Sequence, residues 1–277
     1  MARTVADCTI LLSAITGIDN LDPATGSSRG HIASDYTKFL DPNGLKGTRI
    51  GVARKFMGFN DRVDKLMTDA IEMMKQSGAI VIDPADIPTH GKFDDSELEV
   101  LLFEFKADLN KYLAGLSPVV KSRKLKDLIE FNNQNREKEM PYFGQELFIQ
   151  AEAKGPLTGS AYKKALVKNH RMSRKEGIDA VMNKHKLNAI IAPTGGPAWT
   201  TDLINGDHYT GGSSTPAAVA GYPNINVLMG FIFGLPVGIS FFGRAWSELT
   251  LIKIAYSYEQ ATKFRKPPEF LPTAELK

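Results

Sequence analysis

Cysteine is almost absent: Cys8 is the single one in 277 residues. One thiol cannot close an intramolecular disulfide, and no Cys/His grouping has the spacing of zinc ligands, so neither a disulfide framework nor a structural metal is expected. Long apolar runs are also lacking. Nothing reaches the length that spans a bilayer, and the opening Met1-Ala2-Arg3-Thr4-Val5-Ala6-Asp7 is neither a signal peptide nor a transit peptide, which leaves the cytoplasm as the expected location. An excess of one charge is missing too. With 34 basic and 31 acidic residues, a formal charge of +3 and a pI near 8.8, the balance is too mild to imply a nucleic acid or an anionic membrane as partner.

What is present is the composition of a globular protein, 43% hydrophobic, with apolar residues at readable periods. In "ARTVADCTILLSAITG" Val5, Cys8, Leu12 and Ile15 share a helical face that ends at Gly17, and a core thiol is the expectation for Cys8. A strand at Thr48 to Ala53, an amphipathic helix at Asp61 to Gln76 and a second strand at "AIVID" make a βαβ unit, which predicts parallel pairing. From Asp94 to His185 the pattern is helical, with helices at Asp94–Gly115, Lys124–Lys138, Gly144–Ala153 and Ser160–His185. Strands return at "NAIIAP", "NINVLM" and "LPVGISFF", the last two separated by a "GFIFG" loop. A helix capped by Ser247 then runs to Thr262, before the prolines at 267 and 268. Strands at both ends with helices between predict a single α/β domain over 1–277, a mixed central sheet flanked by helices, with a helical lobe at about 94–186.

Candidate chemistry is sparse. "NGDHYTGGSS" contains Asp207, His208 and Ser213, the letters of a hydrolase triad. A triad needs the carboxylate on one imidazole nitrogen and the serine on the other, and neighbours on one loop seldom achieve that. The plain reading is a glycine-rich turn whose serines, Ser213 and Ser214, cap the helix begun at Thr215-Pro216. "APTGGPAW" lies at the end of a predicted strand, where α/β proteins place ligand sites, and loop turning and pocket lining are equally good accounts of it. It is too short for a dinucleotide fingerprint and lacks the ending of a phosphate loop, so no cofactor is expected. Lys163, Lys164, Lys168, Arg171, Arg174 and Lys175 read as the solvated face of a helix, because no aromatic residues interleave with them.

Five separated stretches, in order, resemble the amidase signature family. They are "MARTVADCTILLSAITG", "EKEMPYFGQELF", "EGIDAVMNKHKLNAIIAPTGGPAW", "STPAAVAGYPNINV" and "GLPVGISFFGRAWSELTLIKIAYSYEQAT", and they are most similar to the bacterial amidases and peptide amidases of that family. The resemblance implies the family's mixed α/β fold and an amide hydrolysis in which a nucleophilic serine is activated by a lysine through a bridging serine. It also implies that those three groups belong upstream of the position matching Met1. On this reading the fold is incomplete: the chain looks like the C-terminal half, with no catalytic residue of its own, and none of Lys163, Lys164, Ser213 or Ser214 matches a catalytic position.

What the resemblance leaves to this portion is the wall of the substrate channel, with Thr194, Trp199, Ser213 and Ser214 nominated by position. Leu228 stands where relatives carry proline, a change expected to loosen the strand end, and Cys8 where they carry alanine. A small amide would be the substrate only in the complete enzyme. The alternative readings are a non-enzymatic module that complements a separate N-terminal half or forms a homo-oligomer, and a hydrolase that uses Ser213 or Ser214.

Overall fold

The computed structural model describes residues 1–270 and divides them into two compact units. The first comprises residues 1–90, 174–199 and 208 onward; the second comprises 91–173 and 200–207.

A five-stranded mixed sheet forms the centre of the first unit. Its strands are β1 (Arg49–Val52), β2 (Ile80–Ile82), β3 (Ala189–Pro193), β4 (Asn224–Ile232) and β5 (Leu235–Phe242), in the order β2-β1-β3-β5-β4. The βαβ expectation holds: β1 pairs in parallel with β2, Arg49 opposite Ile80, and also with β3, Ile50 opposite Ala189. β5 runs antiparallel to both β3 and β4. Alternation along β3 divides the core. Ala189 and Ile191 face a cluster built with Val63, Met67 and Met74 of α2 (Asp61–Gln76) and with Ile254 and Tyr258 of α10 (Glu248–Thr262). Ile190 and Ala192 face a second cluster with Val181 and Met182 of α8 (Asp179–His185) and Ala217 and Ala220 of α9 (Thr215–Ala220). Gly51 lets these layers close: a Cβ there would sit 2.5 Å from Leu187 Cδ1 and 2.8 Å from Ala85 Cβ.

The second unit is helical, with α3 (Asp94–Ala114), α4 (Leu125–Gln134), α5 (Arg136–Glu139), α6 (Glu146–Glu152) and α7 (Ser160–His170). Leu102, Leu125 and Ala151 form its small apolar centre. Lys154 reaches Glu99 at 2.6 Å, and Tyr162 donates to Glu104 at 2.6 Å; burial and that carboxylate push the phenol up to about 12. Among the described residues no helix is long and apolar enough to cross a membrane.

Four expectations need correction. The "GFIFG" loop is mostly strand: β4 continues to Ile232, and the hairpin turns on Phe233 and Gly234 alone. Their φ values of 50° and 75° are the left-handed pair that a two-residue turn requires. The helix expected over Ser160–His185 is three pieces, α7, a π-wound stretch at Arg171–Ile178 and α8, because Gly177 at φ −105° and ψ −107° leaves helical geometry. Arg174 is not simply solvated. Its Nε donates to Ala220 O at 2.7 Å, at the end of α9 where Gly221 turns left-handed, and its guanidinium lies over the Tyr222 ring.

Finally, the stripe on α1 (Val5–Ile15) is covered at its start and uncovered at its end. Val5 and Thr9 are its buried residues, Cys8 is only half-buried, and Ile15 is 71% exposed.

Candidate functional site

β3 ends at Pro193, and two loops meet beyond it. Thr194 N donates to Gly238 O of β5 at 2.8 Å, extending the ladder by one residue. Its side chain turns to Ser240, with Oγ1 and Oγ 2.9 Å apart. Gly238 is required beneath it, since a Cβ there would approach Thr194 Oγ1 to 2.9 Å. One step on, Gly195 forms an isolated antiparallel bridge with Gly212 of the second loop. Both loops are glycine-rich because their backbones approach closely: a Cβ on Gly195 would come within 3.3 Å of Gly211 O.

Ser213 locks this junction. Its side chain is fully buried, and Oγ donates to Pro193 O at 2.8 Å, satisfying a carbonyl at the very end of β3. Its proton is therefore committed to the main chain. The expected capping role is only partly met. Ser214 occupies the N-cap position of α9, but its side chain caps nothing and is exposed; only its carbonyl enters the helix, accepting from Ala218 N at 3.0 Å. Pro216 is at the second helical position, one later than expected.

Trp199, 43% exposed, closes the first loop and meets Tyr209 of the second edge-to-face, with centroids 6.2 Å apart and planes at 71°. The structure thus gathers Thr194, Ser213, Ser214 and Trp199 around one loop pair. His208 in the same loop is exposed. Sequence reasoning missed Ser240 and Tyr209. The first sits on a strand face whose register no local signal gives; the second stands in the quoted loop, but only the fold sets it against Trp199.

Chemically, the arrangement offers oriented hydroxyls, exposed aromatic surface and close-packed backbone, the materials of a pocket wall. Among the described residues no three His, Cys, Asp or Glu side chains group as ligands for a metal ion.

Comparison with known proteins accounts for this architecture. A family model described as amidase matches residues 1–252. A probable amidase of Arabidopsis thaliana is 40% identical over 98% of this chain and 49% of its own length. A crystal structure of the peptide amidase PAM with the competitive inhibitor chymostatin superposes with a TM-score of 0.92 at 43% identity, covering 98% of this chain and 55% of that one. The native peptide amidase of Stenotrophomonas maltophilia gives 0.88 at 43% identity over 98% and 54%. The chain thus spans about half the length of the relatives it matches, and it belongs to the amidase family.

Proposed function

We propose that this amidase-family chain supplies the channel wall and scaffold for hydrolysis of an amide to a carboxylic acid and ammonia or an amine, and that these 277 residues alone do not carry out the reaction. The lysine, bridging serine and nucleophilic serine would be furnished by the part of the fold that relatives have beyond the span matched here. Peptide amides are the first substrate class to test, because the similar solved proteins are named peptide amidases. The enzyme would act in the cytoplasm.

The observation that carries this reading is the state of Ser213. A nucleophilic serine needs its proton held by a base and its oxygen facing substrate. Here the hydroxyl is buried and donates to the carbonyl of Pro193 at 2.8 Å, which favours a structural serine. Thr194, oriented by Ser240, would instead present a hydroxyl to the substrate's polar backbone, with Trp199 and Ser214 on the exposed side of the same loops.

The test combines covalent labelling with turnover. The 277-residue chain is treated with a fluorophosphonate, its intact mass is measured, and hydrolysis of a peptide amide is assayed with and without the remaining part of an amidase fold. The expected result is no adduct, no hydrolysis alone, and hydrolysis on combination. An adduct on Ser213 or Ser214, with activity lost when both become alanine, overturns the reading in favour of an independent serine hydrolase. A non-enzymatic module is the second reading, favoured by the exposed side chains of Ile10, Leu11 and Ile15 on α1. It predicts stable association in sedimentation with no hydrolysis in any combination.

A further inference from the structure

We propose that Phe59 is a positioning residue for the channel wall: its ring holds the two glycine loops in register, so that the aromatic surface they carry, Trp199 with Tyr209, receives an apolar side chain next to the substrate's amide. This rests on the proposed function and says which residue outside the loops shapes their wall and which amides that wall favours.

The placement starts in the sheet. β1 and β3 are parallel neighbours, so the segment after Val52 emerges at the same end as the loop after Pro193. A single 3₁₀ turn at Arg54–Phe56 leads to Gly58, at φ 87°, and Phe59. Asn60 then caps α2, accepting from Arg62 N at 3.0 Å and Val63 N at 3.3 Å. An apolar residue just before an N-cap ordinarily packs on the fourth residue of its own helix. Here that residue is Asp64, whose carboxylate accepts from Gly58 N at 3.0 and 3.1 Å. The backbone is pinned on both sides of Phe59, and the ring is left to serve another element.

The glycines show which element that is. A Cβ on Gly211 would come 2.8 Å from Phe59 Cδ1 and 3.2 Å from Cε1, and a Cβ on Gly196 would lie 3.7 Å from Cε2. One ring thus lies against a bare Cα of each loop, beside the Gly195–Gly212 bridge that joins them. Phe59 is itself half-buried against the core cluster of α2 and the sheet, which anchors it. Tyr209 follows the glycines: a Cβ on Gly212 would come 2.8 Å from its Oη, and Trp199 meets the Tyr209 ring edge-to-face. Aromatic surface on the loop that begins with the Thr194 hydroxyl suits a substrate with an apolar side chain beside a polar amide.

Two measurements test this. In the 277-residue chain, Phe59→Leu keeps an apolar side chain but loses the flat ring, and amide exchange at residues 195–196 and 211–212 should speed about tenfold while residues 189–191 stay unchanged. Met74→Ala, at the fully buried far end of α2, should lower stability without singling out the loops. In combination with the remaining part of an amidase fold, Phe59→Leu should raise KM roughly tenfold, at nearly constant kcat, for a peptide amide ending in phenylalanine and leave it unchanged for one ending in glycine. Trp199→Ala should give the same split, and adding Phe59→Leu to it should cost nothing more. Gly211→Ala, which drives a methyl into the ring, tests the contact from its other side and should reproduce the split even where Phe59→Leu fails to fold. Unchanged loop exchange, or equal losses for both amides, overturns the proposal. Hydrolysis whose selectivity ignores Phe59 sinks this inference alone; no hydrolysis of either amide in any combination sinks the proposed function and leaves loop exchange to decide the role of Phe59.

Discussion

Among the described residues, the two outer strands of the sheet are built to opposite rules. β2 is three residues long and ends in a charged lock, where Asp83 receives both guanidinium arms of Arg54 at 2.7 and 2.5 Å. Shortness and a charged terminus are how natural sheets deny an edge to other chains. β4 is three times as long, uncharged, and interrupted only by a register shift between Leu228 and Gly230. The short strand closes on an ion pair, whereas the long one carries no charge along its length. Packing also differs between an outer strand and an interior one. Ile80 on β2 is 47% exposed, while Phe241 on β5, opposite Ile225 of β4, is fully buried against Tyr258.

The comparison can be tested by mutation, beginning with the largest effect. Phe241→Ala should destabilise the chain by about 3–5 kcal/mol in denaturant unfolding, and Ile80→Ala by about 0.5 kcal/mol or less. Equal losses would erase the distinction between the interior of the sheet and its short outer strand. Next is the phenol of Tyr258, behind β4 on α10. The residue is fully buried, and its hydroxyl has no hydrogen-bond partner; burial also drives its ionisation far above the ordinary tyrosine range. Removing an unsatisfied buried hydroxyl relieves its desolvation cost, so Tyr258→Phe should stabilise the chain by about 1 kcal/mol, read as a higher unfolding midpoint at unchanged m-value. A loss of stability would mean that the hydroxyl has a use the structure does not display.

The smallest effect concerns Glu259, which lines a cleft with Asn224, Asn226 and Leu228 of β4 and whose Oε1 accepts from Val5 N at 2.9 Å. Burial raises its pKa, more than the hydrogen bond from Val5 lowers it. A carboxyl with a raised folded pKa binds more protons folded than unfolded. Its contribution to stability is therefore greatest at acid pH and declines as pH rises from the ordinary carboxylate value through the folded one. Glu259→Gln retains an acceptor for Val5 and has no charge to bury, so it should remove that decline; the difference between the two pH–stability curves isolates it from Glu97, which burial also raises. Parallel curves would place Glu259 in water and weaken the description of a cleft along β4.

Much of this architecture was legible in residue order, and the failures share a cause. The Val63, Met67, Ala70, Ile71 and Met74 face of α2 is buried as its 3.6-residue period predicts, and the parallel pairing of β1 with β2 follows from strand, helix and strand. The end of β3 was recognisable as a loop junction because Pro193 and two glycines follow an apolar run. By contrast, "GFIFG" reads as a loop because two of its residues are glycine, yet Gly230 lies in the strand, where a Cβ would come 2.7 Å from Leu66 Cδ2. Period could not say that the apolar face of α1 is buried at Val5 and exposed at Ile15, nor could glycine in "GGSS" reveal that Ser213 is turned inward.

Residue order set most of the elements and the glycine-rich loops, because caps, periods and turn residues act over a few neighbouring positions, and it carried the motifs of the family. Tertiary structure alone decided what those parts became. Ser213 reaches Pro193 twenty residues back, once the two glycine loops meet, and Thr194 meets Ser240 forty-six residues on, once β3 and β5 lie side by side. Likewise, β4 is the last strand among the described residues not through any residue it contains but through its place in the strand order, and that place is set by every pairing in the sheet.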